Sequence, residues 1–262
     1  MRKFRSIEGM NSLFASQESN LSDKYHHIPT IDIINVMDSQ GWVPCGGYEA
    51  GRRRNSPKRF DTVKHGVRFQ NTKFTARYSE STKVLGQLVP QITIRNSHDG
   101  SSSFRVELGF MRLVCLNGLM VSEEYGSFRI SHHSAKAAMD ELEAKIAAIA
   151  EGFDAIIALY NKLAATEFNL EQLKELINSA VTVTYGKDVA SQVDINKATD
   201  ELLTVHRDAD RDNNVFNLFN RAQETLVQGN TVRGNKRVRK LGQQRADEVT
   251  SRLFDAVMRI AA

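Results

Sequence analysis

Gln91-Ile-Thr-Ile-Arg95, Asn96-Ser-His-Asp-Gly-Ser-Ser-Ser103 and Phe104-Arg-Val-Glu-Leu108 follow one another without a break, and their reading decides the fold. The first and third pieces alternate apolar and polar residues, the period of half-buried strands. The middle piece is a cluster of turn-forming residues. Phe110-Met-Arg-Leu-Val-Cys-Leu116 then runs nearly all apolar, Asn117-Gly118 reads as a hairpin turn, and Leu119-Met-Val121 resumes extended chain. Val89 to Ile130 is therefore expected to be an antiparallel meander with at least one face buried.

Past Ser131 the period changes. Met139, Leu142, Ile146, Ile149, Phe153, Ile156, Tyr160 and Leu163 recur at alternating spacings of three and four, an a/d seam along a long helix. Packing on the sheet is the ordinary use of such a seam, and self-association is the sharper one. Further helices are expected at 169–183, 194–206, 213–228 and 243–260, and Asn169-Leu-Glu-Gln172 opens the first of them with nearly a capping box. Upstream of the meander, Thr30 is placed to cap a short helix running to Asp38, and Gly41 to end it. Trp42-Val43 begins a strand that Gly46 and Gly47 interrupt as a bulge or turn. Thr62-Val-Lys-His-Gly-Val-Arg-Phe69 forms one side of a hairpin whose tip is basic.

A β-rich half thus feeds a helical half. The class is α+β: an antiparallel β-meander packed on a long helix, followed by a helical C-terminal part. The chain divides into a polar N-terminal arm at 1–27, a core domain of sheet and long helix at 28–165, and a helical region at 166–262 that carries a basic strap at 229–245.

Charge is distributed unevenly. Basic residues exceed acidic ones by 6 in residues 1–130, fall short by 7 in 131–228 and exceed them again by 5 in 229–262. Such asymmetry suits a polyanion-binding face set against a solvated one. Two cysteines, Cys45 and Cys115, make no disulfide framework and fit a reducing compartment. No signal peptide and no membrane-spanning run is legible, so a cytoplasmic protein is expected.

Tyr25-His-His-Ile-Pro-Thr-Ile-Asp-Ile-Ile-Asn35, Ile94-Arg-Asn-Ser-His-Asp-Gly-Ser-Ser-Ser103, Arg112-Leu-Val-Cys-Leu-Asn-Gly-Leu119 and Arg221-Ala-Gln-Glu-Thr-Leu-Val-Gln-Gly229 carry a resemblance. Together they resemble the YafZ/YfjQ-type prophage proteins, a phage- and plasmid-borne family of unknown function. The resemblance implies a mobile-element origin in a bacterial host and supplies no reaction. The chain departs from it at Asn230, where relatives tend to carry another glycine. In layout alone, a short helix ending in Gly-Trp, a sheet with a basic hairpin and a long helix are similar to the single-strand annealing proteins of phages and eukaryotes.

Two basic clusters stand out. Arg52, Arg53, Arg54, Lys58, Arg59, Lys64, Arg68, Lys73 and Arg77 share their segment with one acid, Asp61, and with Phe60, Phe69, Phe74 and Tyr78. Guanidinium groups bind phosphate in pairs of hydrogen bonds, and aromatic faces stack unpaired bases. Arg233, Lys236, Arg237, Arg239 and Lys240 form the second cluster, a glycine-punctuated strap. A solvated basic loop and a plain linker are the alternatives.

Asn96, Ser97, His98, Asp99, Ser101, Ser102 and Ser103 admit three readings. They form a turn held by its own side chains, or a phosphate cradle of hydroxyl and N–H groups, or an acid/base centre on His98 and Asp99. His26-His27 and His132-His133 lack the companion spacings of a metal site, and no P-loop or GxGxxG is present, so neither metal nor cofactor is expected. The leading expectation is a non-catalytic binder of single-stranded DNA, working as a homo-oligomer in annealing or recombination. An inhibitor of a host defence protein and a cryptic hydrolase or nuclease at His98 and Asp99 are the alternatives.

Overall fold

The protein is described here by a computed structural model. It describes residues 7–16, 21–23, 25–49, 64–78, 80–82, 85, 88–113, 117–120, 127–130, 134–147, 149–185, 199–200, 204–228, 232–233, 236–237 and 241–260. These form an α+β protein, with an antiparallel sheet in the N-terminal half and most of its helices in the C-terminal part.

Helix α1 (Thr30–Ser39) buries Ile33, Ile34 and Met37 on one side, as the sequence spacing requires. Thr30 does not cap it. Pro29 occupies the cap position, and the Thr30 hydroxyl is turned instead to a buried histidine, 2.7 Å from His65 Nε2. The helix ends where Gly41 takes φ +79°, a conformation a side chain resists, with Asn71 at 3.2 Å from where a Cβ would sit.

Strand β1 (Val43–Glu49) pairs antiparallel with β2 (His65–Gln70), and the register slips between Pro44 and Gly46, the bulge that the paired glycines announce. β2 pairs with β3 (Leu88–Asn96). β4 (Phe104–Arg112), β5 (Asn117–Met120) and β6 (Phe128–Ile130) follow, in the sheet order β1-β2-β3-β4-β5 with β6 paired to β4. The antiparallel strands expected over Val89–Ile130 are present, but Asn117 and Gly118, expected as the turn, open strand β5 instead.

One element was not legible. Residues Thr72–Tyr78, within a segment that reads as turn-rich, form the short helix α2. Asn71 starts it, its Oδ1 accepting from the Lys73 N–H at 2.9 Å. A two-turn helix shows too little of its period to be read, but Phe74 and Tyr78, four residues apart, join an aromatic cluster with Trp42, Phe110 and Phe153.

The seam lies on α3 (Ala135–Ala147) and α4 (Ile149–Ala165), with Ala148 outside the described residues. Leu142, Ile146, Ile149, Phe153, Ile156, Tyr160 and Leu163 are all buried within the chain, so the seam is core. α5 (Leu170–Tyr185) starts on the full reciprocal box: Asn169 N–H donates to Gln172 Oε1, and Gln172 N–H to Asn169 Oδ1, each at 2.9 Å. α6 (Val215–Gln228) and α7 (Gln243–Ile260) match expectation. Of the helix expected at 194–206, residues 199–200 are helical, 204–206 are not, and the others lie outside the described residues.

Two compact units emerge, interleaved along the chain rather than sequential. The first comprises Met1–Ser79, Val89–Phe110 and Ser122–Ala155, and the second Glu80–Leu88, Met111–Val121 and Ile156–Ala262. In the first, the aromatic cluster packs one face of the sheet. In the second, Phe254 packs edge to face on Tyr160 and Phe219, and Phe216 lies tilted against Tyr160. Arg112, conspicuous in an apolar run of sequence, is fully buried there. Its Nη1 donates to Asp210 Oδ1 at 2.6 Å and its Nε to the Leu85 carbonyl at 2.7 Å.

Candidate functional site

Antiparallel partners point to the same side of a sheet, and side chains alternate along each strand. The register Val67↔Ile94 and Phe69↔Ile92 puts the apolar side chains of β2 and β3 on one face, where the aromatic cluster lies. The first unit therefore offers two polar places: the end of this inner face, near His65, and the whole of the outer face.

At the inner end, His65 lies opposite both Glu49 and Asn96. Asn96 Nδ2 donates to the Ile28 carbonyl at 2.9 Å and to Thr30 Oγ1 at 3.2 Å. His98 Nε2 is 2.9 Å from the Ser12 carbonyl and 3.4 Å from Thr30 Oγ1, and His98 Nδ1 is 3.1 Å from His27 Nε2. A carbonyl only accepts, so His98 carries a proton on Nε2. Thr30 Oγ1 accepts from Asn96 and bridges to His65 Nε2. The ring centroids of His27 and His65 stand 4.7 and 4.9 Å from that of His98. Among the described residues, no group of three or more His, Cys, Asp or Glu is placed to hold a metal ion.

The rest of the Asn96–Ser103 segment is bonded to itself and its surroundings. Asn96 Oδ1 accepts from Ser97 N–H, and Asp99 Oδ1 accepts from Ser101 N–H, each at 2.9 Å. Ser97 Oγ donates to the Ser102 carbonyl at 3.1 Å and accepts from Ser102 N–H at 3.0 Å. Gly100, at φ +70°, makes the reversal. Tyr25 donates its hydroxyl to the Ser97 carbonyl at 3.0 Å, and burial together with the nearby Asp99 carboxylate pushes its phenol up to about 12, so it stays a donor. Ser12 also gives both its N–H and its hydroxyl to Glu49 Oε1, at 2.8 and 2.7 Å. Met10, Leu13 and Ala15 are buried beside it, so the described part of the N-terminal arm is a packed lid on the cluster.

The outer face is of another kind. The registers Tyr48↔Gly66, Gly66↔Arg95, Arg68↔Thr93 and Arg105↔Arg129, joined by the contact of Arg95 with Glu107, put Tyr48, Arg68, Arg95, Arg105 and Arg129 on one side of five strands. Glu107, two residues beyond Arg105, is the acid among them, and its Oε2 accepts from Arg95 Nε at 2.6 Å. Arg129 is exposed, while Tyr48, Arg68, Arg95 and Arg105 are half-buried. Cys45 sits near Arg68 and accepts a long hydrogen bond from Gln91 Nε2, 3.6 Å from its sulfur. Burial nevertheless pushes the Cys45 thiol up to about 11.

The nucleic-acid residues expected from sequence are thus divided. Arg68 lies on the outer face, and Lys64 immediately precedes β2. Lys73 and Arg77 lie on α2, which packs on the inner side, and Arg77 is paired to Asp154 at 2.8 Å and rests over the Tyr78 ring. Arg52, Arg53, Arg54, Lys58, Arg59, Arg239 and Lys240 lie outside the described residues. Arg233 and Lys236 face each other across the two-residue ladder of β7 (Val232–Arg233) and β8 (Lys236–Arg237). Reading the sequence alone missed Arg95, Arg105, Arg129 and Tyr48. Strand alternation was the available signal, but only register gathers these residues on one surface.

A buried histidine network and an arginine-lined sheet face are thus the two polar features of the first unit. The chain belongs to the family described as a domain of unknown function (DUF932), which it matches over residues 19–250. It is 25% identical over 215 residues to the UPF0380 protein YfjQ of Escherichia coli (strain K12), covering 79% of this chain and 70% of that protein. The UPF0380 protein YafZ of the same organism matches to the same extent. No solved structure matches. No helix among the described residues is long and apolar enough to cross a membrane.

Proposed function

We propose that the protein binds single-stranded DNA non-catalytically along the outer face of the first unit's sheet, in strand annealing or recombination for a mobile element. One observation carries this reading: among the described residues, Arg68, Arg95, Arg105 and Arg129 share that face with one acid, Glu107, itself ion-paired. Guanidinium groups at strand spacing suit a chain of phosphates, each accepting two hydrogen bonds. Arg105 and Arg129 stand directly opposite each other, so two guanidinium groups come to one place on the face. A sheet face is broad and shallow, suited to a flexible single strand whose bases lie against it. The resemblance to prophage proteins supports the mobile-element setting.

The test is fluorescence anisotropy of labelled single-stranded and duplex DNA across a salt series, with wild type and an Arg68→Ala, Arg105→Ala, Arg129→Ala variant. Four phosphate contacts give a slope of log affinity on log salt of about −3 for a single strand. The triple variant is expected to flatten that slope and to bind at least tenfold more weakly, a loss of about 1.4 kcal/mol or more. Absence of binding by wild type at low salt, or an unchanged slope in the variant, defeats the reading.

A further inference from the structure

Ser12 fastens the N-terminal arm to two ionisable side chains of the first unit. Its N–H and its hydroxyl donate to Glu49 Oε1 at 2.8 and 2.7 Å, and its carbonyl accepts from His98 Nε2 at 2.9 Å. Met10, Leu13 and Ala15 add the apolar part of the contact. His98 is the middle one of three imidazoles. Its ring centroid is 4.7 Å from that of His27 and 4.9 Å from that of His65. His98 and His65 are buried, and His27 is half-buried.

The hydrogen bonds of His98 limit the charge these rings can carry. With Nε2 spent on the arm, Nδ1 faces His27 Nε2 at 3.1 Å. Two ring nitrogens that face each other share one proton, so one of them must accept. The bond survives a single added charge, because one ring of the two stays neutral. When both rings are charged, two N–H groups point at each other, and two like charges lie side by side with one on a residue that has no exposed surface. Burial and the like charge both oppose that second proton. The acids that neighbouring elements bring, among the described residues, are already engaged. β1 brings Glu49, opposite His65 in the ladder and bonded to Ser12. The turn after β3 brings Asp99, whose Oδ1 accepts from Ser101 N–H, and the segment before α1 brings Tyr25, which stays a donor. Lys64, just before β2, adds positive charge, and Glu8, Asp23, His26 and Asp32 are exposed.

We propose that the three histidines and Ser12 form an acid-sensitive latch, in which a second proton on the His27–His98 pair lifts the arm at residues 7–16 while the sheet stays folded. A second charge on the pair requires water at His98, and Ser12 is the arm's hold on that ring, so lifting the arm is the local change that admits it. Release also uncovers Glu49 at the same end of the sheet. An imidazole in water takes its proton below about pH 6.5, and a carboxylate below about pH 4. Closed, the pair excludes the second proton. Open, both rings take it as the pH falls. The open form therefore binds more protons below about pH 6.5, and closure weakens by up to about tenfold for each further pH unit and each excluded proton. Near neutrality and above, neither form takes up the second proton and the latch holds. The inference is independent of what the outer face binds.

Amide hydrogen exchange of the full chain, read by mass spectrometry from about pH 7.5 to about pH 5 and corrected for the pH dependence of chemical exchange, separates the arm from the sheet. That window titrates imidazoles and leaves ordinary carboxylates ionised. Peptides over residues 7–16 are expected to lose protection about tenfold or more across it, while peptides over β3 keep theirs. His27→Gln places beside His98 an amide that hydrogen-bonds and takes no charge, and its arm is expected to hold its protection within about threefold down to about pH 5. The variant is checked for cooperative melting, and the wild-type series decides by itself if the variant does not fold. Unchanged arm protection in wild type down to about pH 5 overturns the proposal. So does loss of protection in the arm and β3 together, which is acid unfolding of the whole unit. Release of the arm in His27→Gln at the same pH as in wild type overturns the assignment of the latch to the His27–His98 pair.

Discussion

On β2, His65 and Arg68 stand three residues apart and serve opposite sides of one sheet. His65 is sealed into a hydrogen-bond network with Thr30, Asn96, His98 and His27, under a lid that includes Ser12. Arg68 joins Arg95, Arg105 and Arg129 on the side away from the aromatic core, where the charges are only partly covered. A buried polar group is tolerated when its hydrogen bonds are made, and a charge when it keeps water or a counter-ion. The inner end therefore holds polar residues bonded to one another, and the outer face holds residues that cannot lose their charge. The comparison teaches that the segment with the most chemical-looking side chains, Asn96–Ser103, is occupied in holding the fold. Arginines unremarkable in their own strands are gathered on the outer face.

The largest expected effect breaks the inner end. His98→Ala removes the donor to the Ser12 carbonyl and the partner of His27, leaving both in a buried site with a cavity between them. Unfolding in urea should show a loss of about 3 kcal/mol. Affinity for single-stranded DNA, measured below the unfolding range, should hold within about twofold of wild type. A large loss of affinity with little loss of stability would mean that the histidines belong to the binding surface after all.

Next comes Cys45. With its thiol at about 11, only a minute fraction is thiolate near neutrality. In a Cys115→Ser background, alkylation by iodoacetamide at pH 8 should be slower than that of a free thiol of ordinary acidity by on the order of a hundredfold. The sign follows from burial raising the value: the rate climbs about tenfold per pH unit up to the thiol's own value. Rapid reaction at pH 8 would show the outer face near Arg68 to be wetter and more electropositive than described.

The smallest effect sharpens the outer face. Glu107→Gln removes its acid while keeping an acceptor for Arg95. Stability should fall by about 0.5 kcal/mol, since the pair is partly exposed, and affinity for single-stranded DNA should rise about twofold as the face gains net positive charge. A fall in affinity would mean that the Arg95–Glu107 pair, rather than Arg95 alone, is what the ligand requires.

Much of the architecture was legible because it rests on local periodicity. The alternation in Gln91–Arg95 and Phe104–Leu108 follows from side chains leaving a strand on opposite sides, and the Met139–Leu163 spacing from the helical repeat. Asn169 and Gln172 could be paired by eye because a capping box closes over three residues. Thr30 misled for the same reason. Its position before an apolar run is that of a cap, and nothing local tells that His65, thirty-five residues on, is its partner. The basic run Arg52–Arg77 looked like one cluster, yet Arg68 and Arg77 lie on opposite sides of the sheet, because a strand and a helix project their side chains by different rules.

The sequence by itself determined the α+β class, most of the element boundaries and the family, because each is written in patterns a few residues to a few turns long. Only the tertiary structure decided which polar residues meet. Register across β1, β2, β3, β4 and β6 gathers Tyr48, Arg68, Arg95, Arg105 and Arg129, and a shift of a single residue in any one ladder would turn its contribution to the other face. That register is fixed by burying Val67, Phe69, Ile92, Ile94 and Val106 on the opposite side, so the apolar core is what chose the composition of the charged surface.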